Sequence, residues 1–281
     1  MTAHSEYIGS STTAVLAQIL DQGFARVRLK HSAAQRLATL YRAATDFFAL
    51  EPGAKLRYGV PNRSTGYRPH AYAHAGDPDR PDLNDSFLYW PQRPKTPPNS
   101  DEITGFLAAA EAYRRIAAEI TRVLLTELRD RYDYQHELPF ENASVLQINN
   151  FGRTTDEELL QQPHEDAVFL TVIWASAKGL EAVFEDRGEQ LPLEFPEDEV
   201  IVMPGSVMTA MTGGEIPPLF HLARNHGITG RKSIMYFMSP DAHTRIEPFL
   251  MNEYNKEKDI RELILNNPQS YFGLAEDFVT N

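Results

Sequence analysis

The chain has 281 residues, 42% hydrophobic and 23% charged, enough for one large domain or two small ones with a globular core. Its 27 basic against 39 acidic residues, net −12, exclude the basic footprint a nucleic-acid partner needs, and the absence of cysteine excludes disulfides, thiolate metal sites and a cysteine nucleophile. No apolar run approaches the ~20 residues of a membrane span, and residues 1–11 are polar without the apolar stretch of a signal peptide, so a cytoplasmic protein is expected.

Residues 13–21 have the periodicity of a short amphipathic helix, which Gly23 breaks; Phe24 to Leu29 then alternates apolar and basic residues like a half-buried strand. Ser32 is placed to cap a helix to about Leu50, with Leu37, Leu40, Tyr41, Ala44 and Phe48 on one face, closed by Pro52-Gly53. Residues 57–100 read as a loop with a proline cluster at Pro91, Pro94, Pro97 and Pro98. That loop is either a tether or a substrate-facing flap, since it offers Arg63, Arg68, His70, Tyr72, His74, Tyr89 and Trp90. Asp101 starts a long scaffold helix to about Arg131 with a continuous apolar stripe. From Ala143 the pattern changes to short β runs at 143–149, 168–174, 181–184, 200–203, 206–211, 220–223 and 232–238, with glycines between them, which predicts a sandwich or barrel. Helix returns at 259–265. The chain is expected to form one domain, with a helical half at 1–142, a β core at 143–240 and a helical tail at 241–281.

Three features sit in order on the β core. His164 and Asp166, two apart in an extended stretch, put an imidazole and a carboxylate on one side. A second histidine, His221 or His226, would complete a two-His-one-carboxylate triad, the arrangement that leaves one face of an octahedral Fe(II) open. Arg231 and Ser233, also two apart on an expected strand, share a face and suit a carboxylate, which a guanidinium grips with a bidentate fork. Singly, each is ordinary: a surface histidine, a surface arginine.

In combination the order resembles the isopenicillin N synthase-like branch of the Fe(II)/2-oxoglutarate-dependent oxygenases, over nearly the whole chain. The similarity rests on Gly23-Phe24, Asp46-Phe47-Phe48, Lys55, Gly66-Tyr67, the stretch Asp82 to Phe87, His164-Glu165-Asp166, Leu170-Thr171, Gly179-Leu180, Met203-Pro204-Gly205, Thr212-Gly213-Gly214, His221 and Arg231-Lys232-Ser233. The resemblance implies a mainly β fold with flanking helices, a double-stranded β-helix (jelly roll) with iron at its open end. It implies His164, Asp166 and His221 as metal ligands, His221 being preferred by its intervals from Gly214 and to Arg231. It assigns Arg231 and Ser233 to the distal carboxylate of 2-oxoglutarate, with Asn149 beside the iron and co-substrate. Arg68, just after Gly66-Tyr67, faces substrate in some relatives, and Tyr67, Phe87 and Tyr89 are its expected neighbours.

The implied cofactors are Fe(II), 2-oxoglutarate and dioxygen. The implied reaction oxidises an unactivated C–H bond of a small molecule, an anionic one if Arg68 pairs with it, by hydroxylation, desaturation or cyclisation in a biosynthetic tailoring step. Asp166 sets the chain apart from the halogenases of the wider superfamily, which carry Gly or Ala there. Phe151 stands where relatives often have a tyrosine that helps bind the oxo acid, and Leu222 replaces the arginine that commonly follows the distal histidine. An oxidase of the isopenicillin N synthase type, independent of 2-oxoglutarate, and a non-catalytic jelly-roll binding protein are the alternatives.

Overall fold

The computed structural model describes residues 6–60, 64–72, 79–91, 100–241 and 246–265. Arg63, His74, Pro94, Pro97 and Pro98 lie outside the described residues, as does the expected tail beyond residue 265.

Helix α1 (Thr12–Gln22) begins where the Ser11 hydroxyl accepts a hydrogen bond from the Ala14 amide and ends at Gly23, whose φ of 82° lies in the left-handed region that glycine adopts without strain. Strand β1 (Ala25–Arg28) and helix α2 (His31–Phe48) follow. The short α3 (Pro52–Leu56) opens on Pro52, whose fixed φ suits a first helical turn. The expected loop contains a hairpin, β2 (Gly66–Arg68) and β3 (Asp85–Tyr89). It is anchored from α3 by Lys55, whose buried ammonium reaches Asp85 at 3.3 Å and the Phe48 carbonyl at 3.0 Å. After a 3-10 turn, α4 (Thr104–Arg131) runs as one scaffold helix.

The β core comprises β4 (Val145–Phe151), β5 (Leu159–His164), β6 (Leu170–Ala175), β7 (Leu180–Phe184), β8 (Glu189–Pro192), β9 (Glu199–Pro204), β10 (Phe220–Arg224) and β11 (Arg231–Met238). Helix α5 (Ser206–Met211) lies between β9 and β10, and α6 (Ile260–Leu265) ends the described chain. Residues 206–211, expected as a strand, are helical. The run Ser-Val-Met-Thr-Ala-Met is buried on nearly every side, so its apolar pattern does not distinguish the two periods. Four strands fall outside the expectation: β2, β3, β5 and β8. They are short, and β5 and β8 carry the polar sequences Leu-Leu-Gln-Gln-Pro-His and Glu-Gln-Leu-Pro at sheet edges.

Two antiparallel sheets form, one ordered β1-β9-β6-β11-β4-β3-β2 and the other β5-β10-β7-β8. This is the jelly-roll expectation met. Alternation along β11 sorts the two faces of the larger sheet. Ile234, Tyr236 and Met238 join the core shared with α2 and α4, whereas Arg231, Ser233, Met235 and Phe237 turn towards the smaller sheet and line a cavity between the two.

Candidate metal centre and active site

Strand β5 ends on His164, and His221 on β10 is its direct cross-strand partner, so both imidazoles leave the same face of the smaller sheet with ring centroids 4.3 Å apart. Both Nδ1 atoms face backbone carbonyls, Gln162 at 2.7 Å for His164 and Leu219 at 3.1 Å for His221. A carbonyl only accepts, so each Nδ1 donates and each Nε2 keeps its lone pair. Burial, reinforced by the neighbouring His164 and opposed by Asp166, lowers the His221 pKa to about 4, so the ring is neutral at physiological pH.

Asp166 is not on a strand. It lies two residues past the end of β5 and just ahead of the bend at 167–169, with its side chain on the same site as His164, and α5 packs against the chain there. The Ser206 amide donates to the Asp166 carbonyl at 3.0 Å and the Val207 amide to the Val168 carbonyl at 3.2 Å. A Cβ on Gly205 would sit 2.3 Å from both of those oxygens, so this approach requires glycine. The Asp166 carboxylate accepts a 2.6 Å hydrogen bond from the Thr171 hydroxyl on Oδ2 and places Oδ1 3.9 Å from His221 Nε2. The donor atoms of His164, Asp166 and His221 lie within 4.8 Å of one another, a spacing that can hold a metal ion. His226 is exposed on the loop after β10 and outside this cluster, which decides between the two histidines.

Further along the cavity, Arg231 is 3% exposed. Its Nε donates to the carbonyls of Ala177 and Lys178, its guanidinium carbon lies 5.0 Å from the Phe151 ring centroid, and Nη1 is buried with no hydrogen-bond partner among the described residues. Burial lowers its pKa to about 10, leaving it charged. Phe151 thus carries the cation on its face where a tyrosine would offer a hydroxyl. Ser233 pairs in register with Asn149, whose Oδ1 is held by Gln147 Nε2 at 2.8 Å and whose Nδ2 is buried with no hydrogen-bond partner among the described residues. Two buried donors without acceptors, one of them cationic, fit an anionic chelator such as 2-oxoglutarate beside a metal.

Arg68 lines the same cavity and is fully buried, which lowers its pKa to about 9. Across the sheet the register runs Arg68–Ser86–Asn149–Ser233. The backbones of Arg68 and Ser233 are therefore three strands apart, about 14 Å at ~4.8 Å per strand.

The expectation for Tyr67, Phe87 and Tyr89 is corrected, because alternation turns all three to the opposite face. Tyr67 donates its hydroxyl to Asp85, Phe87 packs edge-on against Phe47 and Phe106, and Tyr89 packs against the helical core, its pKa raised to about 12 by burial and by Glu111. The residues that join Arg68 are Asp82, Gln147 and Gln161, with Gln161 Nε2 donating to Asp82 at 3.1 Å. Gln147 is detectable in sequence, two residues before Asn149 on one strand; Asp82 and Gln161 come from different elements and carry no local signal. Leu88, Val145, Val168 and Phe237 add apolar wall to the cavity, which mixes apolar lining with a few convergent polar groups as small-molecule sites do.

The model of the 2OG-Fe(II) oxygenase superfamily matches residues 142–240, the stretch that carries all three metal-ligand candidates and Arg231. That matched stretch is similar to this superfamily and leaves the helical first half of the chain outside the match. Gibberellin 20 oxidase 4 of Arabidopsis thaliana is 23% identical over 142 residues, 50% of this chain and 37% of that enzyme, so the match spans well under half of the curated relative. Among solved structures, a full-length Neurospora crassa protein in complex with alpha-KG aligns with a TM-score of 0.74 and 17% identity over 96% of this chain and 90% of that one. A putative 2OG-Fe(II) oxygenase family protein of Caulobacter crescentus aligns with a TM-score of 0.71 and 18% identity over 91% and 92%. At these identities the structures establish the jelly-roll fold alone. Among the described residues no helix is long and apolar enough to cross a membrane.

Proposed function

We propose that the protein is an Fe(II)- and 2-oxoglutarate-dependent oxygenase that oxidises an unactivated C–H bond of a small anionic molecule in a biosynthetic tailoring step. The convergence of His164, Asp166 and His221 on one point supports this reading most directly. When bound, Fe(II) with 2-oxoglutarate and dioxygen would supply the oxidising chemistry, the oxo acid being converted to succinate and carbon dioxide.

The chain's own part is to bind, orient and exclude water. His164 and His221 would offer Nε2 and Asp166 would offer Oδ1 to the ion. Arg231 Nη1 and the Ser233 hydroxyl would take the distal carboxylate of the oxo acid, and Asn149 Nδ2 would donate to its near end. Arg68 stands too far from Ser233 across the sheet to share that acid, which supports assigning it to an anionic group of the primary substrate. The apolar wall around Leu88, Val145 and Phe237 would then hold the carbon skeleton near the metal in a dry environment.

The test is anaerobic reconstitution with Fe(II) and 2-oxoglutarate followed by exposure to oxygen. Slow formation of succinate without substrate, abolished in Asp166→Ala, is expected; oxygen uptake with an organic substrate but no succinate would instead identify a 2-oxoglutarate-independent oxidase. With a substrate in hand, Arg68→Ala should raise its KM and leave the uncoupled turnover of 2-oxoglutarate unchanged, whereas unaltered KM would remove Arg68 from the substrate site.

A further inference from the structure

Each of the three candidate ligands is held by a second group: the two histidines by carbonyls, and Asp166 by the hydroxyl of Thr171. Only in the last case is the holder a side chain, and there it engages the second oxygen of the ligand carboxylate. We propose that Thr171 is a positioning residue that keeps Asp166 a one-oxygen ligand, and so keeps three coordination positions open for small molecules. The inference rests on the metal-centre reading above.

Thr171 lies on β6, opposite Met203 on β9 and Phe237 on β11, and has no solvent exposure. Its 2.6 Å contact to Oδ2 has the length of a charge-assisted O–H···O⁻ bond. Turning the carboxylate to bring both oxygens to the ion would break that bond and leave a hydroxyl unsatisfied where no water reaches it. The backbone cannot move instead, because the Asp166 carbonyl is fixed by the Ser206 amide and packed against Gly205.

The count of positions makes the restraint matter. Two imidazoles and one carboxylate oxygen leave three positions on an octahedral ion, as many as a chelating oxo acid and dioxygen together require. A two-oxygen carboxylate would leave two.

Mn(II) alone, added to the metal-free full chain, is a sufficient probe. Loss of the free-ion electron paramagnetic resonance signal gives stoichiometry and affinity, and water-proton relaxation counts the waters on the bound ion. The wild type should bind one Mn(II) carrying three waters. Thr171→Val, which keeps the shape and loses the hydroxyl, should carry two waters and bind about tenfold more weakly, the usual scale for losing a partner of a metal ligand. Thr171→Ser should restore three. Thr171→Ala lacks the hydroxyl by a different packing change and serves if the valine variant does not fold, as judged by thermal unfolding of the metal-free forms. Three waters in Thr171→Val, or a serine variant that behaves like the valine one, would overturn the role of Thr171 and leave the metal centre standing. A wild type that binds no Mn(II) would overturn the centre itself, and this inference with it.

Discussion

Arg231 sits in the cavity as a charge held ready for an anion. Its Nε is tied to two carbonyls, its guanidinium lies over Phe151, and one terminal nitrogen is left without a partner at a buried position. Leaving such a donor unsatisfied is costly, which an incoming carboxylate would relieve. Arg231→Gln should therefore weaken 2-oxoglutarate binding to the Mn(II)-loaded protein about tenfold to hundredfold, the equivalent of ~1.5–3 kcal/mol for a hydrogen bond to a charged group. Calorimetric titration reads this directly, and Mn(II) affinity itself should be unchanged. Equal 2-oxoglutarate affinity in both proteins would assign the distal carboxylate to another residue. Arg231, Ser233 and Asn149 are readable as single residues, because a charged or amide side chain two places from its neighbour on a strand declares which face it shares. The same rule corrects Tyr67, Phe87 and Tyr89: once Arg68 is inward, Tyr67 must be outward, and Phe87 pairs with Tyr67 in register.

At the scale of elements, the candidate metal centre is made by two junctions. One is the β5–β10 pairing that sets His164 opposite His221; the other is the contact of α5 with the segment that carries Asp166. The second depends on Gly205. A methyl group there would meet two backbone oxygens, neither of which can rotate aside. Gly205→Ala should destabilise the metal-free protein by about 1–3 kcal/mol, as overpacked sites do, and should also weaken Mn(II) binding because the displaced backbone belongs to Asp166. Denaturant unfolding and metal titration together check both halves; a variant with wild-type stability would show that the bend is looser than its packing implies. Sequence periodicity identifies α1, α2 and α4 and the apolar strands β6, β9 and β11, whose faces are uniformly apolar or cleanly alternating. It misses β5 and β8, polar edge strands whose formation depends on pairing with β10 and β7, and it misreads α5, where burial on all sides erases the period.

At the scale of the whole molecule, the metal site joins parts of the chain that are far apart in sequence, so binding should be felt by the entire fold. An ion that binds only the native state stabilises it by ~2.7 kcal/mol at a hundredfold excess over its Kd. For a chain of this size that corresponds to a rise of roughly 4–5 °C in Tm. Mn(II) should produce this shift in the wild type and none in His221→Ala, measured by differential scanning calorimetry; an equal shift in both would place the ion elsewhere.

Composition and residue order narrowed the candidate chemistry, since the chain has no cysteine and is net acidic, and His164, Asp166, His221 and Arg231 follow one another in a recognisable order. They also marked α1, α2 and α4 as helical scaffold and the apolar strands as β core, because those patterns are local and repeat along one element. Tertiary structure alone decided that Asp166 is held by Thr171 while its backbone packs against Gly205, and that Asp82, Gln147 and Gln161 stand with Arg68 around the cavity. These are meetings between residues with no periodic relation to one another, fixed by strand register and by close backbone packing, and such contacts are specified only once the two sheets have closed on each other.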